Sequence, residues 1–227
     1  MRYEISRFES IEFMMRYPNG YEAGKRYPVM IHLHGAGTIG QTVEQLREQY
    51  CYRITETMEN FPDTIMMTPL CPKKTWFDVF ETLERFIEFV YRSEYCKQDQ
   101  LYLVGGSMGG YAAWQLAMSM PEYFAALVPI CGGGMYWNAA RLKDIPVWAF
   151  HGAKDPTVLC RESEIMVERI NKYGGNAKLT VYPGNKHDAW TDTYSNPALY
   201  EWMLAQKKQE VVAPPEDLYS NNSKDFG

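Results

Sequence analysis

The chain predicts an α/β fold: one mostly parallel, twisted sheet with helices on both faces. Three observations carry that expectation. Strand-like and helix-like segments alternate from about residue 29 onward, which is the signature of parallel strands joined by crossover helices. The strand segments are near-continuous apolar runs rather than alternating ones, as expected of strands buried on both faces. At 227 residues the chain fits one such domain with a substantial core.

The elements follow in order. Residues up to about Tyr17 alternate loosely and are broken by Pro18-Asn19-Gly20, so they read as antiparallel edge strands. Val29 to His34 is a strong buried strand ending in Gly35-Ala36-Gly37, and Thr42 to Glu59 reads as a helix with Thr42 at its N-cap. Thr64 to Thr68 is a strand ending at Pro69, and from Asp78 to about Tyr95 the residues Val79, Leu83, Phe86, Ile87 and Val90 recur at helical spacing. Leu101 to Val104 is a strand, followed by a helix bearing Ala112, Ala113, Leu116 and Ala117. Ala125 to Ile130 and Pro146 to His151 are further strands. Arg161 to Tyr173 is a helix stopped by Gly174-Gly175, Lys178 to Tyr182 is the last strand, and Pro197 to Lys208 the last helix. The body thus spans residues 1–208 as one domain without a large lid. Residues 209–227, rich in Pro, Asp, Asn and Ser, read as an extended or mobile tail.

Composition excludes several classes. Apolar residues make up 46% and charged residues 22%, the balance of a folded globular protein. A net charge of −5 without charge blocks offers no footprint for nucleic acid or an anionic membrane. Cys51, Cys71, Cys96, Cys131 and Cys160 are odd in number and scattered, with no metal-ligand spacing, so neither a disulfide framework nor a zinc site is expected. Reduced thiols and an N-terminus without an apolar signal core place the protein in the cytoplasm, and no run is long enough to span a bilayer.

The most informative motif is Gly105-Gly106-Ser107-Met108-Gly109, set between a strand and a helix. In that context G-x-S-x-G marks a sharp turn that exposes a serine at the top of a sheet. A serine hydroxyl needs an adjacent base at neutral pH, and the chain has four histidines. His32 and His34 belong to a strand and its end, and His151 ends another. His187 alone lies after the last strand, on a loop free to reach over the sheet's C-terminal edge. An orienting acid between serine and histidine is Asp155, on the loop after the strand ending at His151; Asp188 and Asp192 follow the histidine.

These segments resemble the α/β-hydrolase superfamily, in the compact esterase form of its feruloyl-esterase-like and prolyl-oligopeptidase-like branches. The resemblance covers roughly residues 26–208 through His34-Gly35-Ala36-Gly37, the turn at 105–109, His151-Gly152-Ala153-Lys154-Asp155-Pro156 and Lys186-His187-Asp188-Ala189-Trp190. It implies Ser107 as nucleophile, Asp155 as acid and His187 as base, with the Met108 amide as half of an oxyanion hole and the Ala36 amide as the other. His34 is expected to anchor the loop that carries Ala36, and His32 and His151 to be structural. Trp76, Tyr136, Trp137 and Trp190 follow strand ends, where ligands of open sheets bind, and are expected to wall a pocket.

The implied activity is hydrolysis of small, soluble carboxylic esters, with aryl, cinnamoyl-type or sugar-borne acyl groups favoured by the aromatic residues. It requires no cofactor and no metal, and the partner is a small-molecule ester. The competing readings are a peptidase-like hydrolase and an α/β-hydrolase that binds without catalysis.

Overall fold

In the computed structural model, which describes residues 2–58 and 61–208, eight strands form one sheet. They are β1 (Tyr3–Phe8), β2 (Ile11–Arg16), β3 (Tyr27–Leu33), β4 (Ile65–Leu70), β5 (Cys96–Gly106), β6 (Ala126–Ile130), β7 (Val147–Gly152) and β8 (Ala177–Tyr182). The spatial order is β1-β2-β4-β3-β5-β6-β7-β8. Only β1 and β2 run antiparallel to their neighbours; β3 to β8 are parallel. The expected tail at 209–227 lies outside the described residues.

Strand alternation sorts the core onto two faces. Val29, Ile31, Leu33, Leu101 and Leu103 point to one face, where they meet α2 (Phe80–Arg92), α3 (Met108–Ser119) and α4 (Cys160–Lys172). Met30, Tyr102 and Val104 point to the other, under α1 (Tyr50–Thr57), α5 (Trp190–Tyr194) and α6 (Pro197–Ala205). The helix expected over 42–59 is divided. A 3-10 turn at Glu44–Glu48 precedes α1, and Gln49 between them is extended (ψ 143°). Thr42 therefore caps no α-helix. The strand expected to stop at Pro69 continues to Leu70, because Pro69 pairs with β2 beyond the last residue paired with β3.

The chain runs from β3 to β4 on one side of the sheet, then returns to β5 on the other side of β3. A crevice opens at such a reversal, outside the C-terminal ends of the strands. Two loops border it, Gly35–Thr38 after β3 and Ser107 after β5. The turn at Ser107 is tight enough that main chain packs on main chain. A Cβ on Gly105 would lie 2.1 Å from the Gly109 carbonyl oxygen, and one on Gly109 would lie 2.0 Å from that of Leu33. At Gly106 a Cβ would meet nothing within 4 Å.

Gly109→Ala is therefore expected to cost about 3 kcal/mol or more, since neither backbone can yield as a side chain would, whereas Gly106→Ala should shift stability little. Urea unfolding midpoints of the two variants check this; equal midpoints would refute it.

Candidate active site

Ser107 is the pivot of the crevice. Its backbone is left-handed (φ 54°, ψ −117°), a conformation that costs a non-glycine residue on the order of 1–3 kcal/mol and is held by its surroundings. The Ser107 amide donates to the Ile130 carbonyl at 2.8 Å, and the Ser107 carbonyl accepts from the Tyr111 amide at 3.0 Å. The hydroxyl is thereby presented at the strand end.

Two other loops converge on it. His187 Nε2 lies 2.8 Å from Ser107 Oγ, and its Nδ1 lies 2.7 Å from Asp155 Oδ2. Residues 80 and 32 positions apart in sequence thus form one row of hydroxyl, imidazole and carboxylate. Since a carboxylate only accepts, Nδ1 carries the ring proton and Nε2 is left to accept from the hydroxyl. Asp155 Oδ1 also accepts from the amides of Thr157 (2.8 Å) and Val158 (3.0 Å). Burial pushes the Asp155 carboxyl up, but the His187 imidazole and the two amides outweigh it and hold the group below its ordinary value. Asp188 and Asp192 are occupied elsewhere: Asp188 accepts from the Thr191 amide and hydroxyl, and Asp192 from Asn185.

Beside the row, Ala36 and Met108 each begin a helical turn, so their amides have no acceptor within that turn. The Gly35 loop packs on the serine turn closely enough that a Cβ on Gly35 would touch Ser107 Cβ at 3.4 Å. His34 fixes that loop, as expected. Its Nε2 accepts from the Cys71 amide (3.0 Å), so the proton sits on Nδ1, which donates to the Gly35 carbonyl (2.8 Å). Burial lowers the His34 pKa to about 4 despite that bond, and burial lowers that of His32 to about 3.

A cavity of about 560 Å³ runs from Ser107 and His187 past the Gly35–Thr38 loop to His32, Cys51 and Tyr194, with Trp190 in its wall. Trp190 is placed as expected, its ring edge-on to His187 at 5.3 Å. The expectation for the other aromatics is corrected. Trp76 is wholly buried and donates its indole N–H to the His34 carbonyl (3.0 Å), so it props the loop from behind. Tyr136 and Trp137 lie exposed on a 3-10 stretch after β6 and do not border this cavity.

Sequence reasoning missed two supports. His151 Nε2 lies 2.9 Å from the Val158 carbonyl and 3.3 Å from Asp155 Oδ2, while its Nδ1 meets Ser163 Oγ at 2.8 Å. Because a carbonyl only accepts, Nε2 carries a proton and donates it to the Val158 carbonyl, beside the acid. The signal was its position four residues before the acid on the same strand-loop junction. The second is Cys131, whose thiol donates to the His187 carbonyl at 3.0 Å. Cys131, His151 and Asp155 place their donor atoms within 4.8 Å of one another, but each is committed to these bonds. Burial pushes the Cys131 thiol up to about 12, which disfavours the thiolate a metal would need.

The dienelactone hydrolase family model matches residues 51–209. The chain belongs to the dienelactone hydrolase family. Comparison with curated proteins gives no match. Among solved structures, a thermostable esterase is 30% identical with a TM-score of 0.73; the match covers 87% of this chain and 59% of that one, so this chain spans about three-fifths of that protein's length. Est1E from Butyrivibrio proteoclasticus is 17% identical with a TM-score of 0.65, over 86% of this chain and 93% of that one. A protein described as a dienelactone hydrolase from Klebsiella pneumoniae is 17% identical with a TM-score of 0.66, over 89% and 94%. The last two likenesses are of fold, and that fold is the α/β-hydrolase fold the sequence predicts. Among the described residues no helix is long and apolar enough to cross a membrane.

His32 and His34, both buried, set an acid limit for this dienelactone hydrolase family member. Their folded pKa values lie below the ordinary 6.5, so between those values the unfolded chain binds more protons. Stability is thus expected to fall as pH drops below about 6.5, by up to about 1.4 kcal/mol per pH unit for each histidine. Asp155 adds a further loss as the pH falls below its ordinary carboxyl value toward its lowered one. Denaturant midpoints measured between pH 7 and pH 4.5 check the histidine part; a flat profile would refute it.

Proposed function

We propose that the chain is a serine hydrolase cleaving carboxylic esters of small molecules through an acyl-enzyme. The observation that carries this is the row in which His187 bridges Ser107 Oγ at 2.8 Å and Asp155 at 2.7 Å. Membership of the dienelactone hydrolase family and the likeness to a thermostable esterase support it.

In this reading His187 Nε2 takes the hydroxyl proton as Ser107 Oγ attacks the ester carbonyl carbon. The imidazolium that forms is stabilised by Asp155, whose carboxylate also accepts from the Thr157 and Val158 amides. The tetrahedral oxyanion is received by the amides of Ala36 and Met108, each worth on the order of 3 kcal/mol of barrier, with the N-terminal end of α3 adding its positive dipole. His187 then passes its proton to the departing alcohol. Water then attacks the acyl carbon as His187 takes its proton, and the imidazolium returns that proton to Ser107 Oγ as the bond to the acyl group breaks and the acid leaves. No step calls on a metal or an organic cofactor.

The cavity suits a small ester with one flat or ring-bearing part. That favours aryl or cinnamoyl-type esters, or acyl groups carried on sugars. We assign the whole body, residues 1–208, to this one function. All five cysteines are unpaired thiols, which fits a reducing, cytoplasmic setting.

Ser107→Ala is expected to lose ester hydrolysis by at least about a thousandfold and to escape labelling by a fluorophosphonate, with an unchanged circular dichroism spectrum. Asp155→Asn should keep the labelling site yet lower kcat by about 10⁴, since the ring would lose its tautomer. A p-nitrophenyl acetate assay on purified variants reads both. Undiminished turnover by Ser107→Ala would overturn the function.

A further inference from the structure

Arg16, the last residue of β2, brings a positive charge into the core on the face of α1 and α6. The residue is 2% exposed. Its Nη1 donates to Thr55 Oγ1 at 2.5 Å, and its guanidinium carbon lies 4.4 Å from the centre of the Phe61 ring. Nη2 has no hydrogen-bond partner among the described residues, and no carboxylate among them forms an ion pair with the group. Glu56, on α1, is taken by the Tyr3 hydroxyl and by Arg47 at 3.5 Å. The thiol and phenols that feel the charge of Arg16 do not balance it either. Burial pushes Cys51 and Tyr3 up to about 12 and raises Tyr52 and Tyr200 as well, so all of them are neutral.

Thr64 Oγ1 is a second buried polar atom without a partner among the described residues. Arg16 and Thr64 line one small cavity of about 50 Å³, with Tyr17, Met58, Phe61 and Pro62 also in its wall. This cavity shares no lining residue with the one at Ser107. Taking an ionised group out of water costs several kcal/mol unless an opposite charge meets it. A guanidinium cannot escape that cost by losing its proton. We propose that Arg16 and Thr64 bind one halide ion, chloride above all, as a structural counterion.

Charge and size select that ligand. One guanidinium is balanced by one negative charge, whereas a dianion such as sulfate would leave a charge over in the core. A water occupies about 30 Å³ of its liquid, so a cavity of about 50 Å³ takes a monatomic ion and excludes an organic acid. Arg16 Nη2 and the Thr64 hydroxyl are both donors, as an anion requires. The ion would brace more than its own cavity. Thr55 Oγ1, held by Arg16, donates to the Cys51 carbonyl at 2.6 Å, one turn back on α1, and Cys51 lines the cavity at Ser107. The bound ion thus ties β2 to the helix that walls the active site.

Thermal unfolding of the full chain in sodium gluconate and in sodium chloride, at equal ionic strength, tests the site. Replacing gluconate by chloride is expected to raise Tm by about 3 °C or more, and saturably, as binding to the folded state alone requires. Bromide should act as chloride does. Arg16→Met, of similar length and without the charge, should remove the difference between the salts. Should that variant fail to fold, wild-type crystals grown in sodium bromide give an independent reading, an anomalous bromine peak against Arg16 and Thr64. Equal Tm in the two salts, a chloride effect that survives Arg16→Met, or no such peak overturns the proposal. Glu59, outside the described residues, is the competing source of negative charge. Equal Tm in the two salts with a lowered Tm in Glu59→Gln would assign the balance to that carboxylate and not to an ion. None of these readouts depends on ester hydrolysis, so the hydrolase reading stands or falls apart from them.

Discussion

The site depends on one backbone constraint, the left-handed reversal at Ser107. Unpaired, that conformation would relax. It persists because β5 and α3 are bound to their neighbours through main-chain contacts that side chains cannot loosen: Gly105 against Gly109, Gly109 against the Leu33 carbonyl, and the Ser107 amide on Ile130. The same contacts fix the serine turn relative to the loop after β3, so the hydroxyl and the Ala36 amide share one rigid frame. A hydroxyl placed by side-chain packing alone would wander by more than a hydrogen bond tolerates.

The imidazole is held by a different strategy. His187 sits on a loop, yet its ring and backbone are tied at separate points. Asp155 holds Nδ1, the Cys131 thiol and the Ala189 amide hold its carbonyl, and a Cβ on Gly152 would strike the neighbouring Lys186 carbonyl at 2.0 Å. Cys131 itself is left-handed (φ 48°), at the end of β6. The loop that carries the acid is tied by His151, which donates to the Val158 carbonyl while its far nitrogen is tied through Ser163 to the Gly132 carbonyl. Thus the end of β6 is tied to the base through Cys131 and to the acid's loop through Gly132, Ser163 and His151.

How much of this the residues announced in advance depended on whether the cause was local. The sheet was legible from apolar runs, because strands buried on both faces have no polar side to alternate with. The serine, histidine and aspartate were legible because each stands just beyond a strand, where loop residues have little else to do. The break at Gln49 was not, since its extended backbone reflects where α1 meets the sheet rather than anything in the residue. Trp76, Tyr136 and Trp137 misled for a related reason. Their positions after strands were read correctly, but the loop after β4 turns its indole inward to the His34 carbonyl, while the stretch after β6 runs along α4. A strand end locates a loop, and only packing decides which way its side chains face. His151 looked structural and is; what the sequence concealed was that it braces the Val158 carbonyl on the acid's own loop.

The two faces of the sheet divide the work. On the face of α2, α3 and α4 the core is apolar and close-packed, and glycine carbonyl contacts leave the serine turn no freedom. On the other face, Cys51 of α1 and Trp190 and Tyr194 of α5 line the cavity together with His32. No member of the row of Ser107, His187 and Asp155 lies on α1 or α5, although Trp190 at the start of α5 meets the His187 ring edge-on. A substitution on α3 moves the hydroxyl before it changes any wall. Chemistry is thus fixed by main chain on one face and selectivity set by side chains on the other.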